Sequence, residues 1–158
     1  MATRSTIALE FADGTIGQVY CHWDGYLAHN GKILLENYSD PFKLQQLIDL
    51  GSLSSLRPEI GTKHPFDMYE ANMTQGEYAN LYRDMATFYG RDRGESNVQA
   101  NYFKDIKDYN ENVYGEEYDY ILRNVDGKAQ WYVRYHDTQG NWVRIEYAFE
   151  AEAVAEDN

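Results

Sequence analysis

Thr6-Ile7-Ala8-Leu9-Glu10-Phe11-Ala12-Asp13-Gly14-Thr15-Ile16-Gly17-Gln18-Val19-Tyr20-Cys21 is the stretch whose pattern decides the fold. Its first half alternates. Ile7, Leu9 and Phe11 fall on one face and Thr6, Ala8 and Glu10 on the other, which is the period of a strand. Asp13-Gly14 then marks a hairpin turn, because glycine tolerates a positive φ. The return strand is expected over about Ile16 to Cys21. The partners of this hairpin are expected at the far end of the chain. Tyr118–Asn124, Gln130–His136 and Trp142–Phe149 read as three strands, joined by Val125-Asp126-Gly127-Lys128 and by Asp137-Thr138-Gln139-Gly140-Asn141. Short turns demand antiparallel neighbours, so these three form a meander.

The middle of the chain reads as helical. A short helix is expected over His29 to Tyr38, weakened by Gly31. Asp40 is a good N-cap and Pro41 suits the first helical position. Phe42, Leu44, Leu47, Ile48 and Leu50 give the next helix its apolar face, and Gly51 ends it. Residues 52–67 read as a long connection. Thr74-Gln75-Gly76-Glu77 is a capping box, followed by Tyr78, Leu81, Tyr82, Met85, Phe88 and Tyr89 at helical spacing and closed by Gly90. Tyr102, Ile106, Tyr109 and Val113 suggest a further helix within residues 98–113. The expected architecture is a single α+β domain over residues 1–150. In it an antiparallel sheet, hairpin plus meander, carries the central helices on one face, and residues 151–158 are an acidic flexible tail.

The 158 residues carry 14 Lys and Arg against 26 Asp and Glu, a formal charge of −12. That balance argues against direct nucleic-acid binding or an anionic membrane as partner, since both need clustered cations. No run approaches the ~20 apolar residues of a membrane span. The single cysteine, Cys21, permits no internal disulfide and fits a reducing compartment, so a cytoplasmic location is expected.

Cys21-His22-Trp23-Asp24, with His29 shortly after, is the densest group of reactive side-chain types. In an extended chain His22 and Asp24 share a face and could converge on one ion or proton. A metal would need further ligands from His29, His64, Asp67 or His136, and no pair has the short spacing of a known metal motif. The plainer reading makes Trp23 a core anchor and Asp24-Gly25 a turn. The sequence therefore names His22, Trp23, Asp24 and Tyr26 as a possible ligand loop and assigns no catalytic residue, metal or cofactor. No phosphate-binding glycine fingerprint and no Gly-x-Ser-x-Gly occurs.

Composition points elsewhere. Tyrosine numbers 15, and residues 101–158 hold 13 acids and 6 bases, so −7 of the charge lies in the last third. Tyr114, Glu116, Glu117, Tyr118, Asp119 and Tyr120 pack three tyrosines and three acids into one short segment. One reading is a solvated acidic face. The other is a Tyr-rich acidic surface for a partner with a basic surface, where tyrosine supplies rigid contact area and complementary charge speeds encounter.

Met1-Ala2-Thr3-Arg4-Ser5-Thr6-Ile7-Ala8, Asp13-Gly14 and Tyr20-Cys21-His22-Trp23-Asp24-Gly25-Tyr26 together resemble small uncharacterised proteins of tailed bacteriophages. These begin Met-Ala/Ser-Thr-Arg-Ser, carry a His-Trp-Asp-Gly-Tyr motif and end in an aromatic β-meander. Leu34-Leu35-Glu36-Asn37-Tyr38 and Asp40-Pro41 fit as well, although Leu27 stands where such proteins often have Pro. The likeness runs to about Leu50 and is loose beyond. It implies a phage origin, expression in a bacterial cytoplasm and an accessory role, such as inhibiting a host defence or nucleic-acid-handling enzyme. It carries over no catalytic residue. The alternatives are a small enzyme or ligand binder using the His22–Asp24 loop, and a virion assembly accessory.

Overall fold

The computed structural model describes residues 2–157. Met1, the first residue of the N-terminal motif, and Asn158, the end of the expected tail, lie outside the described residues. In chain order the elements are β1 (Ser5–Glu10), β2 (Ile16–Cys21), α1 (Lys32–Asn37), α2 (Pro41–Asp49), β3 (Leu53–Ser55), α3 (Met68–Ala71), α4 (Gln75–Tyr82), β4 (Thr87–Phe88), α5 (Tyr89–Arg93), β5 (Asn101–Phe103), α6 (Ile106–Asn112), β6 (Tyr118–Val125), β7 (Lys128–Tyr135), β8 (Val143–Arg144) and α7 (Ile145–Asp157). A π-helical turn, Leu27–Gly31, leads into α1.

The described residues form a mixed α+β fold with one eight-stranded sheet in the order β4-β3-β2-β1-β6-β7-β8, and β5 also pairs with β2. β1 and β2 form the hairpin read from the alternation, with Ile7 opposite Val19. β6 and β7 form a second hairpin, with Leu122 opposite Trp131. The sheet is mostly antiparallel, but β6 runs parallel to β1, Ile7 beside Tyr120. No short turn links those two strands, and the long connection between them, from β2 to α6, lets β6 return in the same direction.

The third strand expected over Trp142–Phe149 is corrected. Only Val143 and Arg144 pair with β7, and Ile145 opens α7. Ile145 and Ala148 are buried and Phe149 packs against the core, a spacing of three and four that suits a helix over a strand. Ala and Glu, both strong helix formers, then carry the helix to Asp157, so the expected flexible tail is helical as far as it is described.

Helices cover both faces of the sheet, which corrects the one-sided layering. Ile7, Leu9, Val19, Tyr120, Leu122, Trp131 and Val133 pack with Leu44, Leu47 and Ile48 of α2 and Ile145 of α7. Ala8, Ile16 and Ile121 on the opposite face pack with Tyr109 of α6. The helix expected within residues 98–113 divides into β5 and α6, because Asp105 caps a new helix by accepting from the Asp108 amide. The capping box forms as read, with Thr74 and Glu77 each accepting the other's backbone N–H.

Candidate functional site

Strand register places Cys21, Ser5, Tyr118 and Tyr135 in one row across the sheet. The chain leaves or enters the sheet at that row in four places. The His22–Tyr26 loop follows β2, Thr3 and Arg4 precede β1, Tyr114–Glu117 precede β6, and His136 follows β7. The two segments singled out from the sequence therefore meet at one end of the molecule. Gly25 and Tyr120, 95 positions apart, are joined directly: the Tyr120 hydroxyl donates to the Gly25 carbonyl at 2.7 Å. Thr3 and Arg4 bridge the rest. The Gly25 amide donates to the Thr3 carbonyl at 2.8 Å, and the Arg4 amide donates to Glu117 Oε1 at 3.4 Å.

The loop after β2 is built from backbone contacts outward. The His22 and Trp23 amides donate to the carbonyls of Leu53 and Ser54. Asp24 then takes a left-handed backbone with φ 58°, and Gly25 presses against β1, where a Cβ would come within 2.7 Å of Ser5 Cβ. Buried Asn30 fastens the turn, its amide donating to the Ser5 hydroxyl at 3.2 Å and to the Trp23 carbonyl at 3.3 Å. Its Oδ1 accepts from His29 Nδ1 at 2.9 Å. Trp23, just before the left-handed turn at Asp24, is 45% exposed and is not the anchor expected of it; Trp131 fills that role. Tyr26 is also exposed. The His22 ring meets the Trp23 ring edge-on at 4.8 Å, and its Nδ1 is hydrogen-bonded to the Tyr20 hydroxyl at 2.6 Å.

No hydrogen bond or ion pair joins the His22 and Asp24 side chains, and among the described residues no group of three His, Cys, Asp or Glu side chains can hold a metal ion. Cys21 is buried, which pushes its thiol up to about 11 and leaves it protonated and unreactive at neutral pH. His64, named as a distant ligand, is also interior. Its Nε2 lies 3.1 Å from Thr87 Oγ1 and its Nδ1 donates to the Thr62 carbonyl at 2.8 Å. Asp92 beside it accepts from the amides of His64 and Phe88 and from Arg91. This knot, spread over three segments, ties the connection after β3 to α5.

Strand alternation divides the acidic segment. Tyr114, 92% exposed, and Glu116 and Glu117 face solvent. Tyr118 is half-buried, stacked on Tyr135 at 4.8 Å, and Tyr120 is inside the core. Asp119 points to the opposite face and is 4% exposed. Its Oδ1 accepts from the Thr6 hydroxyl at 2.6 Å and its Oδ2 from Arg134 Nε at 3.3 Å. Glu116, Glu117, Asp119, Arg134 and His136 line an open cleft of about 400 Å³. Sequence reasoning missed Arg4, Asn30 and Arg134. Arg4 stood in plain view in the opening motif, but its use depends on the register of β1 against β6. Asn30 and Arg134 gave no local signal.

No protein-family model, curated protein or solved structure matches the chain. No helix among the described residues is long and apolar enough to cross a membrane.

Proposed function

We propose that the protein works by binding another protein, through the end of the sheet where the His22–Tyr26 loop meets the Tyr114–Glu117 segment. The observation that carries this reading is that convergence. Exposed Trp23 and Tyr26 belong to the loop that Thr3 holds at Gly25, and exposed Glu117, with Tyr114 and Glu116 just before it in the chain, belongs to the segment that Arg4 holds. Trp and Tyr are the side chains that most often dominate binding energy, and carboxylates around them favour a basic partner surface. The bacteriophage-like opening suggests a host protein as that partner, occluded and inhibited by an acidic accessory protein; a defence or nucleic-acid-handling enzyme has the required basic surface.

The test starts with capture of a partner from bacterial lysate on the immobilised chain, followed by purification of that partner and binding kinetics. Rim charges act mainly on association and buried aromatic anchors mainly on dissociation. Glu116→Gln with Glu117→Gln should slow association several-fold and flatten its salt dependence. Trp23→Ala should speed dissociation. A purified partner whose rates are unchanged in both variants binds elsewhere, and the proposal fails.

A further inference from the structure

Tyr114–Glu117 lie between α6 and β6 and carry the exposed ring and carboxylates of the proposed surface. Such a segment has many conformations open to it, and its like charges favour spreading. It is nevertheless fastened at three points. Gln18 Nε2 donates to the Tyr114 carbonyl at 3.4 Å, the Glu116 amide donates to Asp119 Oδ1 at 3.0 Å, and the Arg4 amide donates to Glu117 Oε1 at 3.4 Å. The middle tie comes from the interior. The same Asp119 oxygen accepts the Thr6 hydroxyl of β1, and Arg134 of β7 neutralises the other. The Arg134 guanidinium in turn lies 4.6 Å from the centre of the Trp142 ring, and Trp142 Nε1 donates to Asn110 Oδ1 of α6. The chain crosses this carboxylate at Gly115, where a Cβ would sit 2.7 Å from Asp119 Oδ2.

We infer that Asp119 is a positioning residue, which fixes the Tyr114–Glu117 segment in its binding shape, and that Gly115 is the residue that lets the backbone come close enough to be held. The inference rests on the proposed role of this surface as far as binding is concerned, and on the geometry alone as far as the loop's shape is concerned. A carboxylate is suited to the task because it only accepts hydrogen bonds and takes charge-assisted bonds from several donors. A segment already held in shape loses less freedom on binding.

The experiment uses the full chain, with amide hydrogen exchange read residue by residue by NMR, and a labelled poly-arginine peptide as basic probe at physiological ionic strength. Asp119→Asn turns one acceptor into a donor facing Arg134. Gly115→Ala keeps every donor and acceptor of the network and forces the loop and the Asp119 carboxylate apart. In both, exchange at the Glu116 amide should speed by about ten-fold, the effect of losing one charge-assisted hydrogen bond, while the Ile121 and Leu122 amides of β6 stay protected. A loop left in its binding shape about one third of the time should bind the peptide about three-fold more weakly. The double variant Glu116→Gln, Glu117→Gln keeps a side-chain oxygen to accept the Arg4 amide, so it should weaken peptide binding while protection of the residue 116 amide, corrected for the intrinsic exchange rate of Gln, stays at the wild-type level. Unchanged Glu116 exchange in Gly115→Ala overturns the inference, even if Asp119→Asn does not fold. Peptide binding unaffected by the double variant overturns the surface reading instead, and the exchange result still decides the loop.

Discussion

Trp131 is 1% exposed in the middle of β7, flanked on its own face by Val133 and opposed by Leu122 across the hairpin. Trp23 leaves nearly half its surface in solvent, with the His22 ring edge-on against it. The two rings therefore answer differently to truncation. Trp131→Ala removes a large buried side chain and should cost about 3–5 kcal/mol, a large share of a small domain's stability. Trp23→Ala should shift stability by no more than about 1 kcal/mol, since substitutions outside the packed core rarely do more. Urea unfolding of both variants measures the contrast. A Trp23→Ala variant that loses as much stability as Trp131→Ala would mean the ring is packed in solution, and it would no longer be a candidate contact.

At the scale of elements, α3 and α4 stand apart because neither contains a buried residue. α4 is secured by its tyrosines: the Tyr78 hydroxyl donates to the Pro65 carbonyl at 2.7 Å, and Tyr82 stacks on His64 at 5.1 Å. Its stability is then local, and the capping box is its main covalently near support. Thr74→Ala should cost α4 about 1 kcal/mol. The cost should show as faster amide exchange within Gln75–Tyr82, with the global unfolding midpoint unmoved. A matching fall in the midpoint would show that the helix pair unfolds only with the sheet. That box was legible in the sequence because a cap is a contact between near neighbours. So were Asp40-Pro41 and the two hairpins, where turn chemistry and alternation lie within a few residues. The α7 helix was not: its residues Tyr147 to Phe149 satisfy both a strand and a helix, and only the packing of Ile145 and Ala148 against the sheet decides. The parallel β1–β6 pairing was equally hidden, and the union of the two candidate segments with it. Each segment was visible alone, but the Tyr120–Gly25 and Arg4–Glu117 contacts that join them depend on register between distant strands.

The molecule as a whole buries acids of a different kind from its surface carboxylates. Tyr38, Tyr109, Tyr120, Tyr135 and Cys21 all lie in the core, and all are neutral at pH 7. Burial pushes each up: Tyr135 to about 12, Cys21 to about 11, and the other three phenols upward as well, with the Glu152 charge adding to the rise at Tyr120 and Tyr135. The unfolded chain gives up a phenolic proton near pH 10, whereas the folded chain keeps it. A raised folded value for a group that is neutral when protonated gives stability that is complete below the unfolded value. It is lost as pH climbs toward the folded one. Each such group lowers unfolding free energy by about 1.4 kcal/mol per pH unit across that window. Several acting together would exhaust the ~5–15 kcal/mol of an ordinary domain within about two pH units. The fold should therefore hold from neutral pH to about 10 and then collapse cooperatively before about 12, assisted by growing net negative charge. Far-ultraviolet circular dichroism and tyrosinate absorbance, followed together in an alkaline titration, measure this. The final rise in tyrosinate should coincide with the loss of helix and sheet signal. Tyr135→Phe, which removes one titrating phenol, should move that midpoint upward. If the absorbance of all 15 tyrosines saturates while the dichroism is intact, the buried phenols ionise in place and the core is not what limits stability in base.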